Sequence, residues 1–313
     1  MKKRSILIAS LLMAVGIAHA GYERKVVCEE LTGTWCVYCP SGIVAIEEVS
    51  AEYEDIFIPI AVHVNDVMTV PEYSGMLMER LGQVGAPYAY TMRNSKYSGS
   101  VGDLKTRVGY LSLSEAPGMI KIEGKYEDDG SLHVSGTVVS DAAVGAGEWS
   151  LELVLTENEV HHPGDPRYNQ SNGYSGNDMV EMGGYELLPN PVPSEDMYYN
   201  DVARALYSVD VSSEVLAAGE EREFTAVFAV PESVDDIEKC YVTGLLLDSG
   251  GSVVNGWRSR VEVRKEDGIA SVGGGDAVVV RRYDVSGRLV SGGYRGVVIE
   301  VLSDGSRRKV VSR

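Results

Sequence analysis

Apolar positions in the first third of the chain alternate between two periods. Lys25-Val26-Val27-Cys28-Glu29-Glu30-Leu31 opens with a continuous apolar run and reads as a buried strand. Ile43, Ile46, Val49 and Tyr53 then recur at helical spacing. A short apolar strand follows over 56–64, and Pro71 opens a helix that runs through Leu81. Gly85-Ala86-Pro87 reads as a turn into a strand over 88–90, and Leu104, Val108 and Leu111 mark a closing helix. Strands alternating with helices in this way predict an α/β layer domain over 21–116.

Past Ala116-Pro117-Gly118 the pattern changes to alternation. Segments 119–126 and 132–139 flank Asp128-Asp129-Gly130 and predict a hairpin. Further strands are predicted over 149–156, 223–230, 240–247 and 253–263, with Asp248-Ser249-Gly250-Gly251 as a tight turn between the last two. This is the pattern of an antiparallel, Ig-like β-sandwich over 117–264. It is interrupted by a long polar insertion near 160–200, and loops of that length are usually functional or mobile. A linker with Gly273-Gly274-Gly275 is predicted over 265–276, followed by a small β module over 277–313. The fold class is therefore α/β plus all-β.

Composition narrows the function. The 313 residues carry a formal charge of −18. An acidic chain repels nucleic acid and anionic membranes, so neither is an expected partner. With 44% hydrophobic residues, wholesale disorder is excluded. The terminal module runs against this charge, with eight basic and three acidic residues over 277–313. Met1-Lys2-Lys3-Arg4, an apolar run from Ile6 to Ile17 and Ala18-His19-Ala20 make up a secretory signal peptide over 1–20. The expectation is an exported protein (periplasmic, outer-membrane-associated, cell-surface or secreted) with no transmembrane span in the mature chain.

The chemistry concentrates in Trp35-Cys36-Val37-Tyr38-Cys39-Pro40, placed where a strand gives way to a helix. Free N–H groups and the dipole at a helix start favour a thiolate on the first sulfur, Cys36. A static clasp and a zinc site are the rival readings. Zinc would need two more ligands, and no second pair lies nearby in the sequence. Covalent haem needs His after the second Cys, and Pro40 stands there. Cys28 and Cys240 sit in apolar strands, as buried thiols or as a bridge. His63 at the end of an apolar strand reads as structural. His161-His162 with Asp165, joined by Asp178 and Glu181, forms a weak metal candidate, and no metal is assigned.

Trp-Cys-x-x-Cys at a strand-to-helix junction, followed by Gly-Ala-Pro before a strand, resembles the thioredoxin fold. Glu30 stands six positions before Cys36, where that family places its buried acid, and Pro87 stands where it has a cis-proline. A narrower resemblance runs from Glu30 to Pro40. That segment is similar to the signature of outer-membrane-associated thioredoxin-fold proteins, the Omp-twenty-eight-like group. Tyr199-Asn200-Asp201-Val202-Ala203-Arg204-Ala205-Leu206 and Leu247-Asp248 through Val254-Asn255 resemble motifs of that group's β domain. Tyr283-Asp284-Val285-Ser286-Gly287-Arg288 and Arg295-Gly296-Val297-Val298-Ile299 resemble type IX secretion sorting domains.

These resemblances imply a thiol–disulfide oxidoreductase acting on protein thiols or disulfides of the cell envelope, with secretion machinery as a partner of the terminal module. Cys36 would be the exposed nucleophile, Cys39 the resolving thiol and Glu30 its proton acceptor. Trp35, Ala86 and Pro87 would form the substrate-binding edge. The redox-active disulfide would be the only cofactor. Val37-Tyr38 leaves the redox direction open. The competing class is a non-enzymatic surface or adhesion protein with a structural disulfide.

Overall fold

Strand β1 (Val26–Thr32), buried along its whole length, is the axis of the first half of the protein. It pairs in parallel with β2 (Phe57–His63) and antiparallel with β3 (Tyr88–Thr91), which carries β4 (Ser95–Tyr97) on its far side. Helices α1 (Pro40–Glu52), α2 (Pro71–Leu81) and α3 (Val101–Ser112) connect and flank these strands. Pro40 and Pro71 begin their helices at positions where no N–H is needed. α2 stops at Gly82, whose φ of 57° is left-handed. This computed structural model describes residues 21–82, 85–97, 101–211, 213–264, 279–284, 290, 295–302 and 307–312. The predicted signal 1–20 and linker 265–276 lie outside them.

The second half supplies β5 (Gly118–Tyr126), β6 (Ser131–Ser140), β7 (Trp149–Glu157), β8 (Val202–Val209), β9 (Glu221–Ala229), β10 (Cys240–Asp248) and β11 (Val253–Val263). β5 and β6 form the predicted hairpin, with Gly118 opposite Ser140 and Tyr126 opposite Leu132. All eleven strands join one mixed sheet in the order β4-β3-β1-β2-β8-β7-β10-β11-β5-β6-β9. The two halves meet where β2 pairs in parallel with β8 through Ala61 and Val202. Beyond β11 the sheet turns back on itself. A Cβ on Gly244 of β10 would stand 2.7 Å from Ile120 of β5, so those strands face each other across a core.

β7 and β10 are buried on both faces. Leu153 and Leu155 face the core shared with β5 and β6, while Val154 faces the core of the α/β half. In β10, Leu246 faces the first core, and Leu245 and Leu247 face the second. Strands buried on both sides read as unbroken apolar runs, which is why Leu245-Leu246-Leu247 shows no alternation. Residues up to Val263 thus form one compact unit, and Arg264–Arg313 a second.

The second unit contains a separate antiparallel sheet of β12 (Val279–Asp284), β13 (Gly296–Leu302) and β14 (Arg307–Ser312). Glu300 on the middle strand is buried and accepts hydrogen bonds from Arg282 Nε and Arg308 Nε, each at 2.8 Å. Among the described residues strand far outweighs helix, with a large mixed sheet, a small separate one and three α-helices.

Candidate functional site

Cys36 and Cys39 are joined by a disulfide with Cα atoms 5.4 Å apart. Cys39 is the N-cap of α1, so the pair occupies the turn before the first helical residue, Pro40. The loop from β1 to this turn is fixed by neighbours of β2. Trp35 Nε1 donates to the Val64 carbonyl at 2.6 Å. Asp66 Oδ2 accepts from Thr34 N–H at 2.9 Å and lies 2.7 Å from His63 Nδ1. Burial pushes the Asp66 carboxyl up, but the His63 ring and the Thr34 and Met68 N–H groups outweigh it and hold it below the usual range. His63 is structural in this respect: with Asp66 it anchors the segment that leads into the disulfide.

Glu30 projects from β1 and is buried. Its Oε1 has no hydrogen-bond partner among the described residues, and burial raises its pKa to about 8. The carboxyl packs against Gly42, in the first turns of the helix that Cys39 caps, where any Cβ would collide with Oε1. It also lines a cavity of about 390 Å³ between α1, β2 and the 198–201 segment, with Glu47, His63, Tyr199, Asp201 and Arg258. Burial of the carboxyl beside this cavity favours its protonated form.

The Ala86–Pro87 peptide bond is cis. Pro87 directly precedes Tyr88, whose partner on β1 is Leu31, so it stands at the end of β1 that leads into the disulfide loop. Trp35 and Tyr38 are 46% and 59% exposed. Cys36 is not: it is only 3% exposed, although the sequence predicts an accessible nucleophile. The insertion holds the loop around Cys36 through its backbone carbonyls. Ser171 N–H donates to the Thr34 carbonyl at 2.8 Å, Gly173 N–H to the Val37 carbonyl at 2.7 Å and Gln170 Nε2 to the Cys36 carbonyl at 2.9 Å.

The insertion is therefore packed structure. Tyr168, Val192, Met197 and Tyr199 form a third core with Met68, and Ile43 of α1 packs against it. The two histidines are engaged separately within it. His161 Nδ1 lies 2.8 Å from the Met197 carbonyl and its ring stacks on Tyr198. His162 Nε2 lies 2.8 Å from Asp235 and its ring stacks on Tyr168. Asp165 pairs with Arg167. Among the described residues no group of three or more His, Cys, Asp or Glu could hold a metal. Cys28 and Cys240 are separate buried thiols, and burial raises the pKa of both. Asp66, Gly42 and Gln170 escape sequence reasoning. Asp66 follows its strand by three residues without a motif, and Gln170 acts from more than 130 positions away.

A disulfide at a helix start, with a buried acid against the same helix and a cis-proline at the adjoining sheet end, defines a chain of disulfide-bearing α/β character. The chain as a whole is similar to several solved structures. HBP35 of Porphyromonas gingivalis matches 94% of this chain and all of its own length, at 18% identity and a TM-score of 0.56. A structural-genomics protein from Agrobacterium tumefaciens matches 82% of this chain and all of its own, at 14% identity and a TM-score of 0.46. A domain of the outer membrane lipoprotein Omp28 from Porphyromonas gingivalis matches 48% of this chain and 92% of its own, at 10% identity and a TM-score of 0.25. The first of these shows a common fold. No family model matches the chain, and no curated protein matches it. Among the described residues no helix is long and apolar enough to cross a membrane, which says nothing of strands.

Proposed function

We propose that this chain is an exported, envelope-associated thiol–disulfide exchange protein of the thioredoxin type. Cys36 and Cys39 are its reactive pair, and cysteines of other envelope or surface proteins are its substrates. The observation that carries this reading is Glu30, a buried carboxyl whose Oε1 has no hydrogen-bond partner among the described residues, set against the helix whose first turn Cys39 caps. An acid in that state is costly to bury, and a proton-transfer role explains its presence.

The reaction is an exchange of bonds between sulfurs. A partner thiolate attacks Cys36 Sγ, the Cys36–Cys39 bond breaks and its electron pair leaves on Cys39 Sγ, which takes a proton from Glu30. In the reverse sense the Cys36 thiolate attacks a partner disulfide, and Cys39 resolves the mixed disulfide. Trp35, Ala86 and Pro87 frame the approach. The disulfide itself is the redox group, with no further cofactor. The terminal unit is the sorting module that engages type IX secretion machinery, and 1–20 is the export signal.

Cys39→Ser tests the exchange. It accumulates a mixed disulfide through Cys36, visible as a dithiothreitol-sensitive adduct under non-reducing conditions. If it traps no partner while the wild-type disulfide resists mild dithiols, the proposal fails. One observation favours the second reading, a surface-binding protein with a structural clasp: Cys36 is 3% exposed. The reduction potential separates the two, because a structural bridge has a potential below about −300 mV.

A further inference from the structure

The space between α1 and the sheet carries more acid than a packed interface needs. Glu30 and Thr32 alternate onto one side of β1, and their register partners on β2 are Ala61 and His63. On α1 the residues turned to the same space are Ile43, Ile46, Glu47 and Ser50, at helical spacing. Two of these four are polar, and helix and sheet leave a cavity of about 390 Å³ between them. That size lies within the range of roughly 300–1,000 Å³ typical of small-molecule sites.

The cavity is graded in polarity. Two buried carboxyls line it, Glu30 at 3% exposure and Asp201 at 8%. Glu30 Oε1 has no hydrogen-bond partner among the described residues. The walls are apolar or aromatic, from Ile46, Phe57, Pro59 and Tyr199. Glu47, Glu54 and Tyr198 stand exposed at the rim. Arg258 also lines the space, but its Nη2 is already 2.6 Å from Asp201 and its head lies over the Tyr241 ring. His63 is likewise committed, to Asp66. Among the described residues, Glu30, Glu47 and Glu54 therefore face the cavity without a cation of their own.

Such a site suits one kind of ligand. An anion is repelled. A metal ion needs several converging ligands, and among the described residues no group of three or more His, Cys, Asp or Glu could hold one. An organic ammonium needs only one or two acceptors for its three donors, and aromatic walls favour a cation further. The cavity exceeds what a single lysine side chain fills, which favours a free compound with a bulkier body. We propose that this cavity binds a small primary amine with a short apolar or aromatic body, inserted with its ammonium at Glu30. The inference is independent of the exchange reading, since it needs the carboxyl and the cavity but not a reactive disulfide. Burial raises the Glu30 pKa to about 8, and an ammonium beside it favours the ionised form, so binding below that pH expels a proton. Of the groups around it, burial also pushes up Glu47, Asp201, Tyr199 and Cys28.

The test titrates phenethylamine into the oxidised full-length mature chain by calorimetry. Phenethyl alcohol serves as its uncharged counterpart and N-acetyl-lysine methylamide as a side-chain mimic. Saturable amine binding is expected, strengthening about tenfold between about pH 6 and 7 and levelling off above about pH 8. The alcohol binds at least about tenfold more weakly at pH 8 and without that slope. Glu30→Gln loses the slope and at least about tenfold in affinity at pH 8. Ala61→Leu keeps Glu30, fills the cavity from β2 and abolishes binding, with the thermal midpoint reporting that the variant folds. Proton release needs no variant: at pH 7, titrations in buffers of different ionisation enthalpy show about one proton expelled per amine bound. No saturable binding, equal affinity for amine and alcohol, or binding that Ala61→Leu leaves unchanged overturns the site. Binding of the lysine mimic but not of phenethylamine assigns the cavity to a protein side chain and overturns the free-amine proposal. None of these outcomes touches the exchange reading, which stands or falls with the Cys39→Ser trap.

Discussion

At the scale of single residues, the site turns on the contact between Glu30 and Gly42. Gly42 leaves room for a carboxyl that any larger residue would displace. Gly42→Ala is expected to destabilise the chain by about 1–3 kcal/mol through overpacking. It should also slow exchange at Cys36, read as the rate of reduction by dithiothreitol. Glu30 sets a pH dependence of stability. An unfolded glutamate titrates near 4.3, whereas burial places Glu30 at about 8. The folded state favours the protonated form, so the contribution is complete below about pH 4.3 and is lost as pH rises through about 8. Relative to Glu30→Gln, wild type should lose on the order of 5 kcal/mol across that window. Urea midpoints measured from pH 4 to 9 check this, and parallel curves for the two proteins would contradict it.

At the scale of elements, the α/β half and the β half are tied by buried charge as well as apolar contact. Arg93, after β3, places Nη2 2.7 Å from Glu29 of β1 and 2.7 Å from Glu152 of β7. Tyr73 of α2 donates to the same Glu29. Removing one member of a buried ion pair leaves the rest uncompensated, so Arg93→Leu is expected to cost about 3–5 kcal/mol in chemical denaturation. The neutral triple Glu29→Gln, Arg93→Leu, Glu152→Gln should recover part of that loss.

The elements differ in how far the sequence reveals them. Helices with apolar residues every three or four positions, and hairpin strands flanking Asp-Asp-Gly, follow from local pattern. β8 does not, because Arg204 interrupts its apolar run. That arginine is buried and hydrogen-bonds Glu157 at 2.8 Å, a partner 47 positions away. The long insertion likewise reads as polar and irregular. Its Gln170, Ser171 and Asn172 spend their hydrogen bonds on distant backbone, a use that no local pattern encodes. The disulfide, Glu30 and Pro87 were legible because a compact motif carries them. The burial of Cys36 was not.

At the scale of the whole molecule, the acidic unit ending at Val263 holds its three apolar cores within its own residues. Deleting Arg264–Arg313 should therefore shift its thermal midpoint by less than about 2 °C, a small fraction of the 2–4 °C per kcal/mol scale multiplied by a domain's stability. The same deletion should abolish surface delivery if the terminal sheet is the sorting module, and cell fractionation reads that outcome. A continuous eleven-stranded sheet joins the disulfide-bearing half to the β half, so one scaffold carries both the Cys36–Cys39 disulfide and the insertion that hydrogen-bonds its loop. Whether that pair is a catalyst or a clasp is decided by its reduction potential against a dithiothreitol or glutathione couple. An exchange protein requires a potential between about −270 and −120 mV, and a value below about −300 mV would contradict the account.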